Sequence, residues 1–372
     1  MSVIYSSVLP ENNKASYGEY DTVDFVITFE NQSLQLGSVR LEGEMEVKQN
    51  GAFLNAVANV DKDIRIDNFV GAHSVIESVQ TEMLGEVVEN LTEYPRMVKQ
   101  YAVARNNSND LMNSSRVCEL RAPWDEMTNA ILKGAEVKTQ ISNPVRNNPD
   151  FSIRLDTVLN SSTDKLPYSR SGAIRISINL ARVNACLYGE DVDANTTYPL
   201  RDLRLVCRTT PDQDNKDPIN LKRRINIKQS IQSTLANIQV KVPSDQVEAF
   251  SSSFQVQADE NTAKLNNLTL EKIPNLAQLQ FLFNDQTNAN ITYLIKNNDE
   301  VISKFVEAMG DTGRNNVAVG NMVNNNGYGV GLKMSGGTID LSNQKFSVQI
   351  NSEISNARPL VMYMYFHTRL QV

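Results

Sequence analysis

The stretch from Tyr20 to Lys48 reads YDTVDFVITFENQSLQLGSVRLEGEMEVK, and its hydrophobic pattern decides the fold class. Two segments place apolar side chains at every second position: Val23, Phe25, Ile27 and Phe29 in the first, and Val39, Leu41, Met45 and Val47 in the second. Because side chains on a β-strand point alternately to opposite faces, each segment predicts a half-buried strand. The connection, residues 31–38, is too short for a crossover helix, so we expect these two strands to pair antiparallel.

The same alternation recurs along the rest of the chain. It predicts further strands near residues 64–69, 75–79, 151–155, 174–180, 203–207, 225–227, 238–242, 254–256, 279–283, 346–350 and 360–366. The run 360–366 is apolar on both faces and predicts a strand that is covered from both sides. Three- and four-residue spacing predicts helices within 85–105 and 301–309, the second capped by Asn297 or Asn298 and stopped by Gly310.

The strands fall into two units that share a plan of many alternating strands with a helix inserted midway. The first unit, roughly 20–210, offers about seven or eight strands, which favours a sandwich or a barrel. Residues 209–220 contain two prolines in a polar run and predict a linker. Residues 1–20 lack periodicity and predict an extended arm or a disordered tail. Residues 106–149 and 313–337 read as loops.

Composition narrows the class of protein. A net charge of −7 argues against a general nucleic-acid-coating protein, which would need many lysines and arginines to neutralise phosphates. The N-terminus has no signal-peptide pattern and no stretch has the ~20 apolar residues of a membrane span, so we expect folding in a cytosol-like compartment. Cys118, Cys186 and Cys207 predict buried free thiols rather than disulfides or a metal site.

No set of residues in the sequence predicts catalysis. The only two histidines, His73 and His367, lie far apart, and we expect His367 to be a hydrogen-bonded structural imidazole. Glu42, Glu44 and Glu46 share one strand face, and a solvated outer face explains them better than the paired acids of a glycosidase cleft. We therefore predict no catalytic, cofactor-binding or metal-binding residues.

Three further groups have a structural explanation and a weaker functional one. Gly327, Gly329 and Gly331 superficially match a phosphate-binding loop but lack its lysine and the following helix. The basic run 222–224 predicts a solvated turn rather than a phosphate contact. Tyr363 and Tyr365 share a face of the last strand, where core or interface packing accounts for them.

Four segments resemble double jelly-roll major capsid proteins: 17–25 (YGEYDTVDF), 37–43 (GSVRLEG), 166–172 (LPYSRSG) and 257–261 (QADEN). The likeness is to the lineage of polinton-like viruses, virophages and tailless membrane-containing phages. It implies an all-β fold of two tandem eight-stranded antiparallel jelly-roll sandwiches with short inserted helices. The expected divisions are an N-terminal arm 1–20, a first jelly roll 21–210, a linker 211–222 and a second jelly roll 223–372.

The resemblance also implies a function. Three copies would form a pseudo-hexagonal capsomer of an icosahedral virion shell, assembled in the host cytoplasm or nucleus. The implied partners are further copies, neighbouring capsomers, penton and minor capsid proteins and an inner membrane, without specific nucleic acid, and the implied role is not enzymatic. The alternatives are a carbohydrate-binding or glycoside-cleaving tandem β-sandwich, and a minor or penton capsid protein. A penton protein usually needs only one jelly roll, so the second strand-rich half argues against it.

Overall fold

The computed structural model describes residues 3–53, 62–67, 69–105, 119–121, 135–136, 150–212, 217–244, 246–260, 262–284, 298–309, 327–334 and 337–372. The first half contains strands β1 (Ile4–Val8), β2 (Thr22–Ile27), β3 (Gln32–Gln35), β4 (Arg40–Met45), β5 (Lys48–Gln49), β6 (Ala52–Phe53), β7 (Arg65–Ile66), β8 (Ile76–Met83), β9 (Glu86–Leu91), β10 (Ala135–Glu136), β11 (Asp150–Arg154), β12 (Lys165–Pro167), β13 (Ile174–Leu180), β14 (Leu187–Tyr188), β15 (Thr196–Thr197) and β16 (Leu200–Pro211).

The second half contains strands β17 (Asn220–Ile231), β18 (Leu235–Lys241), β19 (Val247–Val256), β20 (Gln278–Phe283), β21 (Val330–Lys333), β22 (Lys345–Asn351) and β23 (Leu360–Gln371). The described α-helices are α1 (Tyr94–Arg105), α2 (Tyr168–Ser171), α3 (Val183–Cys186) and α4 (Asn298–Ala308). Short 3-10 turns cover Gly71–Val75, Val158–Asn160 and Gln257–Asp259.

The two larger sheets of the first half form a sandwich, and two three-stranded sheets, β10-β7-β14 and β15-β5-β6, accompany it. In one sheet the long strand β16 is central: one of its edges pairs with β4 and then with β3, and its other edge pairs with β1. β11 pairs with the far edge of β4, and β12 with the far edge of β3. The other sheet has the order β2-β13-β8-β9. The predicted alternation is confirmed, since Phe25 of β2 stands opposite Ile176 of β13 and both side chains are fully buried. Each such side chain contributes roughly 1.5–3 kcal/mol of burial free energy.

The predicted pairing of the first two long strands is wrong. β2 pairs with β13 in one sheet, whereas β4 pairs with β11 and β16 in the other. The connection between them is not a turn, because residues 32–35 form β3 and pair with β12 and β16. The chain thus crosses from one sheet of the sandwich to the other between two segments with the same hydrophobic pattern, and that pattern cannot distinguish the two arrangements.

The second half is also a sandwich, with seven strands among its described residues. One sheet has the order β17-β23-β19-β21 and the other the order β18-β22-β20. Phenylalanines fill the space between them: the Phe250 ring lies 5.1 Å from that of Phe346 and 5.2 Å from that of Phe366, centroid to centroid. Phe281 stacks on Phe346 at 6.0 Å. Aromatic pairs at such distances add about 0.5–1.5 kcal/mol each to the burial term.

The predicted helices and loops differ in part from the observed ones. The helix expected within 85–105 is confined to α1, because β9 occupies residues 86–91 as the outer strand of a hairpin with β8. The loop expected at 313–337 contains β21, and residues 313–326 lie outside the described residues, as do nearly all of 106–149. The helix predicted at 301–309 corresponds to α4, while Asn297 and Gly310 lie outside the described residues.

The bounds of β1, β16 and β17 can be compared with the expected arm, linker and two jelly rolls. Residues 4–8 form β1 in the first sandwich, β16 continues to Pro211, and β17 already begins at Asn220. The described link between the two long strands is therefore short. The divisions at 21–210 and 223–372 stay a prediction.

Two glycines of the suspected phosphate loop have a packing role. A Cβ atom at Gly329 would lie 2.5 Å from the Phe305 ring of α4, and one at Gly331 would lie 2.7 Å from the Ala308 Cβ and 2.8 Å from the Phe305 Cα. Helix α4 therefore rests directly on the backbone of β21. Absence of side chains here allows close packing rather than phosphate binding.

Replacing Gly331 with alanine is expected to destabilise the protein by about 1–3 kcal/mol, because the new methyl group would overlap the α4 backbone. Urea unfolding measures the loss. Gly18→Ala is the matched control, since a Cβ at Gly18 meets nothing within 4 Å. Equal stability of the two variants would contradict this account of the contact.

Candidate functional site at the junction of the two halves

Helix α1 lies between the two sandwiches and joins them. It belongs to the first half, yet its Gln100 side chain donates a hydrogen bond to Ser253 Oγ of β19 at 2.9 Å. Arg96 donates to the Gln255 side chain, and its guanidinium lies 4.0 Å from the ring centroid of Tyr363 on β23. The helix thus covers the outer face of the second half's larger sheet, which makes that sheet buried on both sides, as predicted for 360–366.

Both histidines lie against this helix. His73 Nδ1 is 3.0 Å from the Tyr94 hydroxyl, and His367 Nδ1 is 3.1 Å from the Tyr101 hydroxyl. The Nε2 atom of His367 lies 2.9 Å from Ser251 Oγ. The prediction of a structural, hydrogen-bonded imidazole at His367 is confirmed. Nothing in the residues around His73 and His367 predicts that both contact the same helix.

A buried ion pair connects the halves beside the histidines. Arg224 of β17 donates its backbone N–H to Glu89 Oε1 of β9 at 2.9 Å, and its guanidinium lies 3.9 Å from the same oxygen. Glu89 also accepts the Val158 N–H at 2.6 Å. Burial raises the pKa of Glu89, an effect that Arg224 and these two N–H groups oppose. The arginine's Nε–H donates to the Tyr101 hydroxyl at 3.2 Å.

The strand edges of the two halves lie side by side, but the described residues there form no backbone hydrogen bonds of a β-sheet with each other. The Asn226 side chain of β17 accepts the Thr92 N–H at 3.2 Å and donates to the Thr92 hydroxyl at 2.5 Å. Lys228 of β17 pairs with Glu93 at 3.3 Å, and the Tyr365 hydroxyl donates to the Glu93 carbonyl at 2.8 Å. Side chains, rather than sheet hydrogen bonds, therefore fix the position of one sandwich beside the other.

The basic run 222–224 forms part of a strand, so the predicted turn is wrong, whereas the predicted solvent exposure holds for Lys222. The three residues lie within β17 opposite 367–369 of β23. Arg224 is buried against Glu89, Lys222 lies 3.6 Å from Glu248, and Arg223 Nε donates to Thr368 at 3.3 Å. These cations are used within the fold.

Glu42, Glu44 and Glu46, which occupy alternate positions in and directly after β4, do not form a uniformly solvated surface. Glu42 and Glu44 are partly exposed, and Glu42 pairs with Arg204 at 3.0 Å. Glu46 is instead fully buried and pairs with Lys48 at 2.7 Å and with Arg201 at 2.8 Å. The expected outer face is thus wrong for Glu46, and each pair described here is a carboxylate matched to a cation.

The described cysteines are inert. Cys186 and Cys207 are buried free thiols, as predicted, and Cys118 lies outside the described residues. Burial raises the pKa of Cys207 to about 11 and that of Cys186 further. Thiolates, the reactive form, are therefore scarce at neutral pH.

The described part of the chain contains neither a metal-binding cluster nor a membrane-spanning helix. No group of three or more His, Cys, Asp or Glu side chains within the described ranges could hold a metal ion. None of the described helices is long and apolar enough to cross a membrane.

A polar cavity of about 470 Å³ opens where the two halves meet on another side. Its lining residues are Asp63, Arg65, Tyr188, Gly189, Glu190, Gln255, Asp259, Lys264, Leu265, Asn266, Thr269 and Glu271. Contacts within its walls already pair Arg65 with Asp63 at 2.5 Å and Lys264 with Glu190 at 3.0 Å. These two pairs use both cations of the lining, and Asp259 and Glu271 remain as its acidic side chains.

No family model matches this sequence, and no curated protein matches it. Solved structures match over almost the whole chain. The Faustovirus major capsid protein aligns with 100% of this chain and 90% of its own, with a TM-score of 0.65 and 8% sequence identity. The PBCV-1 virus capsid protein aligns with 100% and 94%, with a TM-score of 0.61 and 12% identity. The mavirus major capsid protein aligns with 99% and 90%, with a TM-score of 0.53 and 8% identity.

This chain therefore has the double jelly-roll fold seen in viral major capsid proteins, and the predicted fold class is confirmed. The matches give no support to the carbohydrate-binding or glycoside-cleaving alternative.

Removing Arg224 is expected to cost about 3–5 kcal/mol, because Arg224→Ala would leave the Glu89 carboxylate buried without its cation. Thermal or urea unfolding measures the loss. Lys264→Ala is the control, since its pair with Glu190 also links the halves but both side chains are 70% exposed, and we expect almost no change. A similar effect of the two variants would show that the buried pair does not hold the junction.

Proposed function

We propose that this chain is a major capsid protein, three copies of which form a pseudo-hexagonal capsomer of an icosahedral virion shell. The observation that carries the proposal is the full-length match: both sandwiches align together with major capsid proteins over at least 90% of each chain. Many unrelated β-proteins would match one sandwich alone, so such a match would not indicate a capsid protein.

The fold supplies the geometry that such a capsomer needs. Two sandwiches of similar plan lie side by side in one rigidly joined chain. Three chains around a threefold axis then present six similar units, which approximates a hexagon. A heterologous contact repeated around a closed ring leaves no open end. Obligate interfaces of this kind bury on the order of 2,000–5,000 Å².

The edge of β1 is the surface best suited to a subunit contact. β1 pairs with β16 on one side, and among the described residues no strand pairs with its other edge. Residues 1–10 contain no charged side chain, whereas free edges in monomeric proteins are usually protected by charges. Four exposed apolar side chains lie on or beside this edge: Val3, Ile4, Tyr5 and Leu9. We assign this neutral apolar edge to contact with a second copy of the chain.

The remaining parts of the proposal concern partners and location. Capsomers would contact neighbouring capsomers, penton and minor capsid proteins and, where the virion has one, an inner membrane. The charge of −7 suits a shell protein without specific nucleic-acid contacts. The protein would be located in the virion after assembly in the host cytoplasm or nucleus, in a structural rather than enzymatic role.

Purified protein is expected to have three times the 41.6 kDa mass of one chain in light scattering. Ile4→Lys combined with Leu9→Lys should shift the population towards monomer, because two ammonium groups would be desolvated at the contact. Leu235→Lys, at an exposed apolar residue that begins β18, is the matched control. A monomeric wild-type chain would contradict the trimer, and an unchanged mass of the double variant would contradict the assignment of the β1 edge.

A further inference from the structure

The only two histidines of the chain are both buried, and both contact tyrosines of α1. His73 and His367 have exposed fractions of 1% and 7%. Their partners, Tyr94 and Tyr101, are seven residues apart, which places them two turns apart on the same side of the helix. One histidine belongs to the first sandwich and the other to the second. An imidazole therefore contacts the helix at its first residue and another contacts it two turns later.

The hydrogen bonds around Tyr94 are compatible with a neutral His73. The Tyr94 hydroxyl accepts the Asp156 N–H at 2.9 Å. Its single hydrogen is then available to His73 Nδ1, which accepts it in the neutral tautomer that carries its proton on Nε2. Burial holds the pKa of His73 well below its usual range, and the positive charges of Arg121 and Arg40 lower it further.

The same arrangement recurs at His367. The Tyr101 hydroxyl accepts the Arg224 Nε–H at 3.2 Å, so its hydrogen is available to His367 Nδ1. In that tautomer the other ring nitrogen carries the proton and lies 2.9 Å from Ser251 Oγ, which can accept it. Arg224 also stands directly opposite His367 in the pairing of β17 with β23. A proton on Nδ1 would thus break the tyrosine bond and place a second cation beside a buried guanidinium.

We propose that the His73–Tyr94 and His367–Tyr101 pairs form an acid-sensitive latch whose protonation releases α1 and loosens the junction between the two sandwiches. Once α1 is released, each imidazole has the ordinary histidine pKa of about 6.5. Below that pH the released state therefore binds protons and becomes more populated. The use of the latch for opening a shell in an acidic compartment rests on the proposed capsid function, whereas its effect on the isolated chain does not.

The charged groups around the two rings determine the sign of the effect. Arg121 and Arg40 of β4 disfavour a charged His73. The one carboxylate near its ring among the described ion pairs is Glu119, with Oε2 3.9 Å from Nε2. Because the pKa of His73 is lowered in the fold, its contribution to stability is complete above about pH 6.5 and is lost as the pH falls towards the folded-state value.

Glu89, which faces Arg224, acts in the opposite direction. Its pKa is raised in the fold, so the folded state takes up its proton more readily than the unfolded state, and this stabilises the fold as the pH falls into the range of that titration. Measurements on the wild-type chain alone would therefore combine two opposing effects. Variants of the histidines separate them.

The test is hydrogen exchange of the α1 amides between pH 8 and pH 5, corrected for the intrinsic pH dependence of exchange, on wild type and His73→Gln/His367→Gln. Glutamine can accept a hydrogen bond but does not titrate in this range. We expect opening of α1 in the wild type to rise about tenfold per pH unit for each histidine below pH 6.5. The double variant should lose this dependence. Superimposable pH profiles of the two proteins would overturn the proposal.

A second measurement covers the case in which the double variant does not fold. His367→Gln alone keeps His73, so we expect the pH dependence to be reduced but to remain, at up to about tenfold per pH unit. NMR of ¹³C-labelled histidine reports each ring directly, since the chain has only two. Rings that become protonated near pH 6.5 while α1 exchange stays constant would overturn the latch. A monomer that shows acid opening would overturn the trimer and leave the latch intact.

Discussion

The junction depends on covering the outer face of the sheet β17-β23-β19-β21. That face carries Tyr363, Tyr365 and His367 of β23 together with Ser251 and Ser253 of β19, all of them buried. Hydroxyls and a ring nitrogen removed from water cost free energy unless they find partners. Helix α1 of the first half supplies the partners of Ser253 and His367, and Glu93, directly before the helix, accepts the Tyr365 hydroxyl. These groups of the second sandwich are therefore hydrogen-bonded only when the first sandwich is docked against it.

A junction made of polar contacts fixes the relative position of the two sandwiches more than it adds to the stability of the protein. A purely apolar interface would permit sliding, whereas the bonds from Gln100 to Ser253, from Tyr101 to His367 and from Arg224 to Glu89 each have one good geometry. A shell built from six similar units needs the two sandwiches of each chain at a fixed relative position. The polar junction meets that need. It also makes the position sensitive to protonation, which an apolar interface would not be.

Much of the fold could be predicted from the sequence, and the failures share one physical cause. Alternation located β2, β13, β16, β20, β22 and β23 because each has one face or both in a core. It could not pair them: β2 and β4 have the same pattern but lie in different sheets, since the period-two signal reports burial and not neighbours. The contacts of α1 were missed for the same reason. His367 and Arg224 became part of a junction only through side chains contributed by the other half.

The central claim is that one chain supplies two side-by-side sandwiches and that three chains close into a capsomer. Electron cryomicroscopy of the purified protein tests it most directly. Class averages viewed along the particle axis should show threefold symmetry with six similar densities arranged as a hexagon. Particles containing two densities, or an open chain of subunits without a threefold axis, would contradict the account.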